Sequence, residues 1–115
     1  MRLARVLVLA SLAASACTHK LSPSELAADL TARGAHVETK EASGTVDACP
    51  GSELSVDLTI DYEEEYKAIR FPSPDLARAC CLTMNMGVRH SGWCIYPGRA
   101  APKMDTWHKV EALGQ

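Results

Sequence analysis

The alternation of hydrophobic and polar residues is strictest in residues 54–62. One set of side chains is apolar and the other is polar: Leu54, Val56, Leu58, Ile60 and Tyr62 against Ser55, Asp57, Thr59 and Asp61. This period of two predicts a strand with one buried and one solvated face, as in an antiparallel sheet. Similar but shorter patterns predict an earlier strand over 35–41 and a later one over 91–96, ended by Pro97-Gly98.

A helix start precedes the first predicted strand. Ser22 and Glu25 have the spacing of a capping box, in which each side chain accepts a hydrogen bond from the other residue's backbone. Leu21 and Leu26 flank this box at the spacing of a hydrophobic staple. Gly34 then supplies a residue that adopts the left-handed conformation of a helix C-terminus. We therefore predict a helix between Ser22 and Gly34.

The second half of the chain contains a second helix start at Ser73-Pro74-Asp75 and predicts a short helix over 76–86. Its apolar residues surround much of the helix axis, which indicates burial. Residues 41–52 are expected to form a loop, and 104–113 fit a helix or an edge strand equally well. The order α-β-β-α-β, with an uncertain last element, predicts a small single α+β domain with an antiparallel sheet.

The N-terminus has the charge pattern of an export signal. Arg2 and Arg5 precede an apolar run over 6–14 that is interrupted only by Ser11. A membrane-spanning helix needs about 20 apolar residues, so this run is too short to cross a bilayer.

Small residues at 14–16 stand directly before Cys17. This stretch resembles the lipobox of bacterial lipoproteins, in which a small residue precedes a cysteine that is diacylated on sulfur before cleavage. The resemblance covers residues 1–17 alone, and Ala14 stands where the commonest form has Leu. The alternative is an ordinary A-x-A cleavage site, with Cys17 part of the fold of a secreted protein.

The resemblance implies a signal peptide over 1–16, a lipidated Cys17 with a short tether over 17–20, and the domain over 21–115. Thr18, rather than Asp, follows the cysteine. This resembles the pattern of lipoproteins sorted to the outer membrane of a Gram-negative cell. The implied location is the bacterial cell envelope, at the periplasmic face of the outer membrane, with the membrane itself as one partner.

The number of cysteines is consistent with this interpretation. The chain has five: Cys17, Cys49, Cys80, Cys81 and Cys94. Removing Cys17 to a lipid leaves four, which pair evenly, and an exported protein permits disulfides. Neighbours on a helix point about 100° apart, so Cys80 and Cys81 are able to bond different partners. Of three pairings we prefer Cys49 with Cys80 and Cys81 with Cys94, over a vicinal redox disulfide or a metal site.

Charge is unevenly distributed along the chain. Residues 17–66 contain eleven acidic and three basic side chains, whereas 67–115 contain seven basic and three acidic ones. The net charge of −2 argues against nucleic acid as a partner. The split indicates either a partner-binding face or two halves that neutralise each other when folded, and we favour the second.

No motif predicts catalysis, a metal or a cofactor. The histidines are dispersed, without zinc-site spacing: His19, His36, His90 and His108. The acidic residues over 61–65 lack the alternating ligands and glycine of a calcium loop. A hydrolytic or thiol-redox enzyme would need a cleft that joins His90 or His108 to a thiolate or a carboxylate.

Aromatic residues are concentrated in the basic half. Trp93, Tyr96, Trp107 and Lys109 are the candidate interaction surface, although filling the core is the simpler explanation for the aromatic residues. The sequence thus predicts an envelope lipoprotein that acts as a non-catalytic binding or accessory module for a protein or an envelope polymer. The alternatives are an inhibitor or immunity-type lipoprotein and a small enzyme.

Overall fold

The computed structural model describes residues 20–42, 49–98 and 101–114. Within them the chain forms three helices and five strands: α1 Pro23–Thr31, β1 Val37–Ala42, β2 Leu54–Ile60, β3 Glu64–Arg70, α2 Pro74–Thr83, β4 Val88–His90, β5 Trp93–Pro97 and α3 Met104–Glu111. The predicted signal peptide and Cys17 lie outside the described residues, as does His19.

The strands form one sheet in the order β1-β2-β3-β5-β4, and every neighbouring pair is antiparallel. The predicted α+β class, antiparallel sheet and basic order of elements are confirmed. The structure adds two strands that the sequence pattern did not predict. These are β3, whose sequence begins with charged residues, and β4, which is three residues long.

Helix α1 begins and ends as its sequence predicts. Ser22 Oγ accepts from the Glu25 backbone N–H at 3.2 Å, and Glu25 Oε1 accepts from the Ser22 N–H at 3.0 Å. At the other end Gly34 has φ 90°, and the Ala35 N–H donates back to the Leu30 carbonyl at 3.2 Å. This is the Schellman motif, which needs a left-handed residue at Gly34.

One face of the sheet, called here the front face, carries the main hydrophobic core. Helices α1 and α3 pack on it, so the ambiguous segment 104–113 is a helix whose Trp107 and Val110 point inward. The buried members are Leu26, Leu30, Ala35, Val56, Leu58, Ile60, Tyr66, Ala68, Val88, Trp93, Ile95, Trp107, Val110 and Leu113. Alternate residues of β2 supply its centre, as their period of two predicts.

The opposite, back face is covered over only part of its width, by helix α2. The cluster beneath it is small: Cys49, Ile69, Phe71, Ala77, Cys80 and Cys94. Two disulfides cross this region, Cys49–Cys80 and Cys81–Cys94, each with Cα atoms 5.5 Å apart. The structure thus has the preferred pairing, with the two neighbouring helical cysteines directed to different segments.

Helix α2 differs from the prediction in length and burial. It ends at Thr83, before the predicted limit at 86, because Met84 is already extended. Its buried residues are Ala77 and Cys80, while Leu82 is 78% exposed. The prediction that it is buried around most of its axis is wrong, because no further layer covers its outer side within the described part of the chain.

The predicted strand over 54–62 is two residues too long. Strand β2 ends at Ile60, and Asp61 and Tyr62 adopt φ 52° and 72° in the turn that leads to β3. Tyr62 is 74% exposed and does not join the buried row. The alternation of residue types continues past the strand here, so the pattern alone does not mark where the chain turns.

Candidate functional site

Both tryptophans of the predicted interaction surface belong to the core instead. Trp93 has no exposed surface, and its Nε1 donates to the Leu21 carbonyl at 3.0 Å. Trp107 is 9% exposed and packs in the same front-face cluster. This part of the prediction is wrong, because large aromatic side chains bury the most apolar area in a small domain and are therefore the first to be drawn inside.

The other two predicted residues have different environments. Tyr96 lies on the back face and is partly exposed, and burial raises the pKa of its hydroxyl. Lys109 is on α3, where its Nζ lies 2.7 Å from Asp61 Oδ2. Both side chains are partly exposed, but the Lys109 ammonium is already paired with Asp61.

The charge split along the sequence is largely neutralised inside the domain. Four ion pairs join a base of the second half to an acid of the first: Lys67–Asp57 and Arg70–Glu53 at 3.0 Å, Lys109–Asp61 at 2.7 Å, and Lys103–Glu63. The four pairs support the explanation in which the two halves fold against each other, and they leave a surplus of acids in the first half.

The Asp61 carboxylate accepts three hydrogen bonds. Its Oδ1 accepts from the His36 backbone N–H at 3.0 Å, and its Oδ2 accepts from Lys109 and from Thr106 Oγ1. The Lys109 hydrogen bond is the main cause that lowers the pKa of this carboxyl, against a contribution from burial that raises it. Asp61 therefore fastens the β2–β3 turn to both β1 and α3.

The part of the back face that α2 leaves uncovered carries mainly polar and charged side chains. We call it the open half: Glu38, Lys40, Asp57, Thr59, Glu65, Lys67 and Tyr96. In one row across the strands, Lys40, Asp57, Lys67 and Tyr96 are cross-strand neighbours, and Lys67 bonds Asp57 at 3.0 Å. A cavity of about 270 Å³ lies on this surface.

Sequence analysis identified only Tyr96 in the open half. The period-two pattern of β2 did place Asp57 and Thr59 on a solvated face, but β3 was not predicted, so its Glu65 and Lys67 had no assigned neighbours. Lys67 stands between Tyr66 and Ala68, both of which are buried. This short alternation is typical of a strand, but it is recognisable only when the strand is already known.

An exposed pair of rings stands at the end of the β2–β3 hairpin. The Tyr62 ring is stacked on His36, with centroids 4.1 Å apart and planes 11° apart. We call Asp61, Tyr62 and Glu63 the hairpin tip. His36 directly precedes β1, and its Nε2 lies 3.9 Å from Oε1 of Glu38 in that strand, so the tip is continuous with the open half.

The opposite end of the sheet holds the first described residues. The Leu21 carbonyl accepts from Trp93 Nε1 and from Arg70 Nη1 at 3.4 Å. Glu53 pairs with both Arg70, at 3.0 Å, and Lys20, at 3.3 Å. These residues border an N-terminal groove of about 270 Å³, lined by Lys20, Leu21, Arg70, Phe71, Ser73 and Trp93 among others. The chain is thus fixed to the domain from Leu21 onward.

The histidines of the described residues lie on different segments: His36 before β1, His90 at the end of β4 and His108 in α3. His90 Nε2 lies 2.8 Å from Asp29 Oδ2, and its Nδ1 lies 3.2 Å from the Leu113 carbonyl, so the ring links α1 to the end of α3. The four cysteines of the described residues are all in disulfides. Within the same residues, no group of three His, Cys, Asp or Glu side chains is placed to hold a metal ion.

Comparisons with family models, curated proteins and solved structures found no match. Of the helices that the structure describes, none combines the length and hydrophobicity needed to cross a bilayer.

Proposed function

We propose that this chain is a cell-envelope lipoprotein, anchored through Cys17, whose domain is a non-catalytic binding or accessory module. The observation that carries the proposal is the pairing of the cysteines. Two disulfides use four of the five cysteines in the sequence, and the fifth, Cys17, directly follows the small residues 14–16. An acylated Cys17 accounts for both the odd number and its position.

The contacts of the N-terminal groove support a domain held close to the lipid. Lys20 is three residues from Cys17, a span of at most about 10 to 11 Å when extended. Leu21 is bound to Trp93 and Arg70, which leaves little free tether. This proposal places the N-terminal groove nearest the bilayer. Several acyl chains on one cysteine, at about 0.8 kcal/mol per buried methylene, give stable anchoring.

The same orientation directs the hairpin tip away from the membrane. Strand β2 runs from Leu54, at the groove end, to Ile60, next to the tip. Six steps at about 3.3 Å separate these ends by roughly 20 Å. The open half faces sideways along this length, so both surfaces are accessible to a partner in the periplasm.

The open half supports binding to a protein or an envelope polymer. It combines charges of both signs in fixed rows, with Lys40 and Lys67 on either side of Asp57. Alternating charges of this kind favour a complementary partner and repel others. The lining of its cavity is mainly polar, whereas small-molecule sites are mostly apolar, so the surface suits a polar partner better than an apolar small ligand.

An inhibitor or immunity-type lipoprotein is the second candidate. The row of Glu38, Thr59 and Glu65 gives part of the open half an acidic character, as this function would require. Loss of a target enzyme's activity on addition of the domain would favour it over an accessory role.

Metabolic labelling with an alkyne analogue of palmitate tests the anchor. We expect the parent chain, expressed in a Gram-negative host, to incorporate the label and Cys17→Ser to lose it. The double variant Cys49→Ala/Cys80→Ala is the matched control, because it removes two thiols and should stay labelled. An unlabelled parent, or label retained in Cys17→Ser, would overturn the proposal.

A further inference from the structure

Tyr62 is the most exposed aromatic side chain among the described residues, at 74%. Its backbone has φ 72°, a conformation that a tyrosine rarely adopts and that a glycine would accept without strain. Burying an aromatic ring would stabilise the domain, whereas this one is held in solvent in a strained turn. Strain of this kind is concentrated at functional positions.

The ring is also held rigidly. It stacks on His36, and the adjacent Asp61 bonds β1 and α3 through His36, Thr106 and Lys109. One ring face is covered by the imidazole, while the high exposure of Tyr62 leaves the other to solvent. A fixed aromatic surface loses little conformational entropy when a partner binds.

Carboxylates outnumber cations around this ring. The acids are Glu38, Asp61, Glu63 and Glu64, and the ammonium groups paired with them are those of Lys103 and Lys109. Glu38 and Glu63 have side chains that are 66% and 60% exposed. A cation placed over a tyrosine ring is attracted by the electrons of its face, and surplus carboxylates strengthen that attraction.

We infer that the hairpin tip binds a basic segment of a partner protein, with an Arg or Lys side chain over the open face of Tyr62 and its charge balanced by Glu38, the exposed carboxylate here that has no lysine partner among the described contacts. The inference deepens the proposed function by naming the class of partner. It depends on that function only for the direction in which the tip points, since the ring and its carboxylates are present whether or not Cys17 is acylated.

Amide chemical shifts of the intact mature chain in detergent micelles test this inference. The probes are a blocked Arg-Gly-Arg-Gly-Arg peptide, its Glu-Gly-Glu-Gly-Glu counterpart and chitohexaose. We expect shifts with the arginine peptide alone, largest at residues 36, 38 and 61–63. Shifts of equal size with chitohexaose would instead assign the tip to glycans, and shifts confined to other residues, or none at all, would also overturn the inference.

Variants distinguish a specific contact with the Tyr62 ring from the general effect of removing an exposed apolar side chain. Tyr62→Ala should weaken arginine-peptide binding about fivefold, Tyr62→Phe should retain it, and Glu38→Gln should weaken it and reduce its dependence on salt. Leu82→Ala is the matched control, because Leu82 is equally exposed but lies on α2. An unchanged affinity in Tyr62→Ala, or an equal loss in Leu82→Ala, would contradict the proposed contact.

The outcome is independent of the anchor. If palmitate labelling fails and the peptide still binds at the tip, the envelope proposal is lost and this inference stands. If labelling succeeds and the peptide binds elsewhere or not at all, the envelope proposal stands and this inference is lost.

Discussion

The two faces of the sheet are stabilised in different ways. The front face has a buried cluster of fourteen residues under two helices and contains no disulfide. The back face has a cluster of six, three of them cysteines, under one helix. Covalent bonds thus fasten α2 where too little apolar surface is available to hold it. Among the described residues α2 is the helix on this face, and the area that it leaves uncovered is the open half.

Removing a disulfide should lower the free energy of unfolding more than any other change considered, and it tests whether the back face is held separately. The bridges close segments of 31 and 13 residues, for which loop entropy gives about 4 and 3 kcal/mol of stability. We expect Cys49→Ala/Cys80→Ala and Cys81→Ala/Cys94→Ala to lower the free energy of unfolding by these amounts in urea titrations. Hydrogen exchange should rise more in α2 than in β2. Equal acceleration in both elements would show that the back face is not held separately.

Shortening a buried side chain in the front-face core should lower the free energy of unfolding nearly as much as removing a disulfide. Leu30→Ala removes a side chain with no exposed surface and should lower the free energy of unfolding by about 3 kcal/mol. The exposed Leu82→Ala is the control and should change it by less than about 0.5 kcal/mol. Urea unfolding measures both. A small effect of Leu30→Ala would contradict the view that this face depends on packing.

The Asp61 contact should have an intermediate effect that depends on pH. Asp61→Asn removes charge-assisted bonds and should lower the free energy of unfolding by about 1 to 2 kcal/mol at pH 7. Because Lys109 lowers the pKa of this carboxyl in the folded state, its contribution is present above the usual value of 3.8 and is lost as the pH falls below it. Thermal unfolding between pH 6 and 2 should show a shallower acid loss in the variant. Identical slopes of thermal stability against pH in the parent and the variant would contradict a stabilising Asp61–Lys109 pair.

Tyr66→Phe should change the free energy of unfolding least, and any change should be an increase. The Tyr66 hydroxyl is buried in the front-face core with no hydrogen-bond partner among the described residues. Tyr66→Phe should therefore leave the free energy of unfolding unchanged or raise it by up to about 1 kcal/mol.

Alkaline pH provides a second measurement on the same residue. Burial raises the pKa of Tyr66 to about 12 from 10, so the unfolded chain ionises first and stability falls over this interval. Tyr66→Phe should lack that part of the decline. A parallel loss of stability in both proteins would contradict it, since the lysine pairs titrate in both.

Features set by local or covalent chemistry were predictable from the sequence. The capping box of Ser22 with Glu25 depends on residues three apart, and the strand of β2 on its own alternation. The directions of the neighbouring helical residues Cys80 and Cys81 predicted separate partners for them, and the preferred one of the two remaining pairings is the one observed. Each of these can be judged without knowing what packs against it.

Features set by tertiary neighbours were not predictable. Strand β3 has a weak pattern of its own and is stabilised by pairing with β2 and β5. The burial of Trp93 depends on the Leu21 carbonyl, which is 72 residues away. Tyr62 continues the alternation of β2 in type but lies in a turn. The open half and the hairpin tip become visible only once these neighbours are assembled.

The intact mass of the protein purified from bacterial membranes, with and without reduction and thiol alkylation, tests the central claim most directly. We expect a chain that begins at Cys17 and carries diacylglyceryl and acyl groups. We also expect no alkylation before reduction and four alkylated sites after it. An unmodified chain with a free thiol before reduction would contradict the anchor and return Cys17 to the fold.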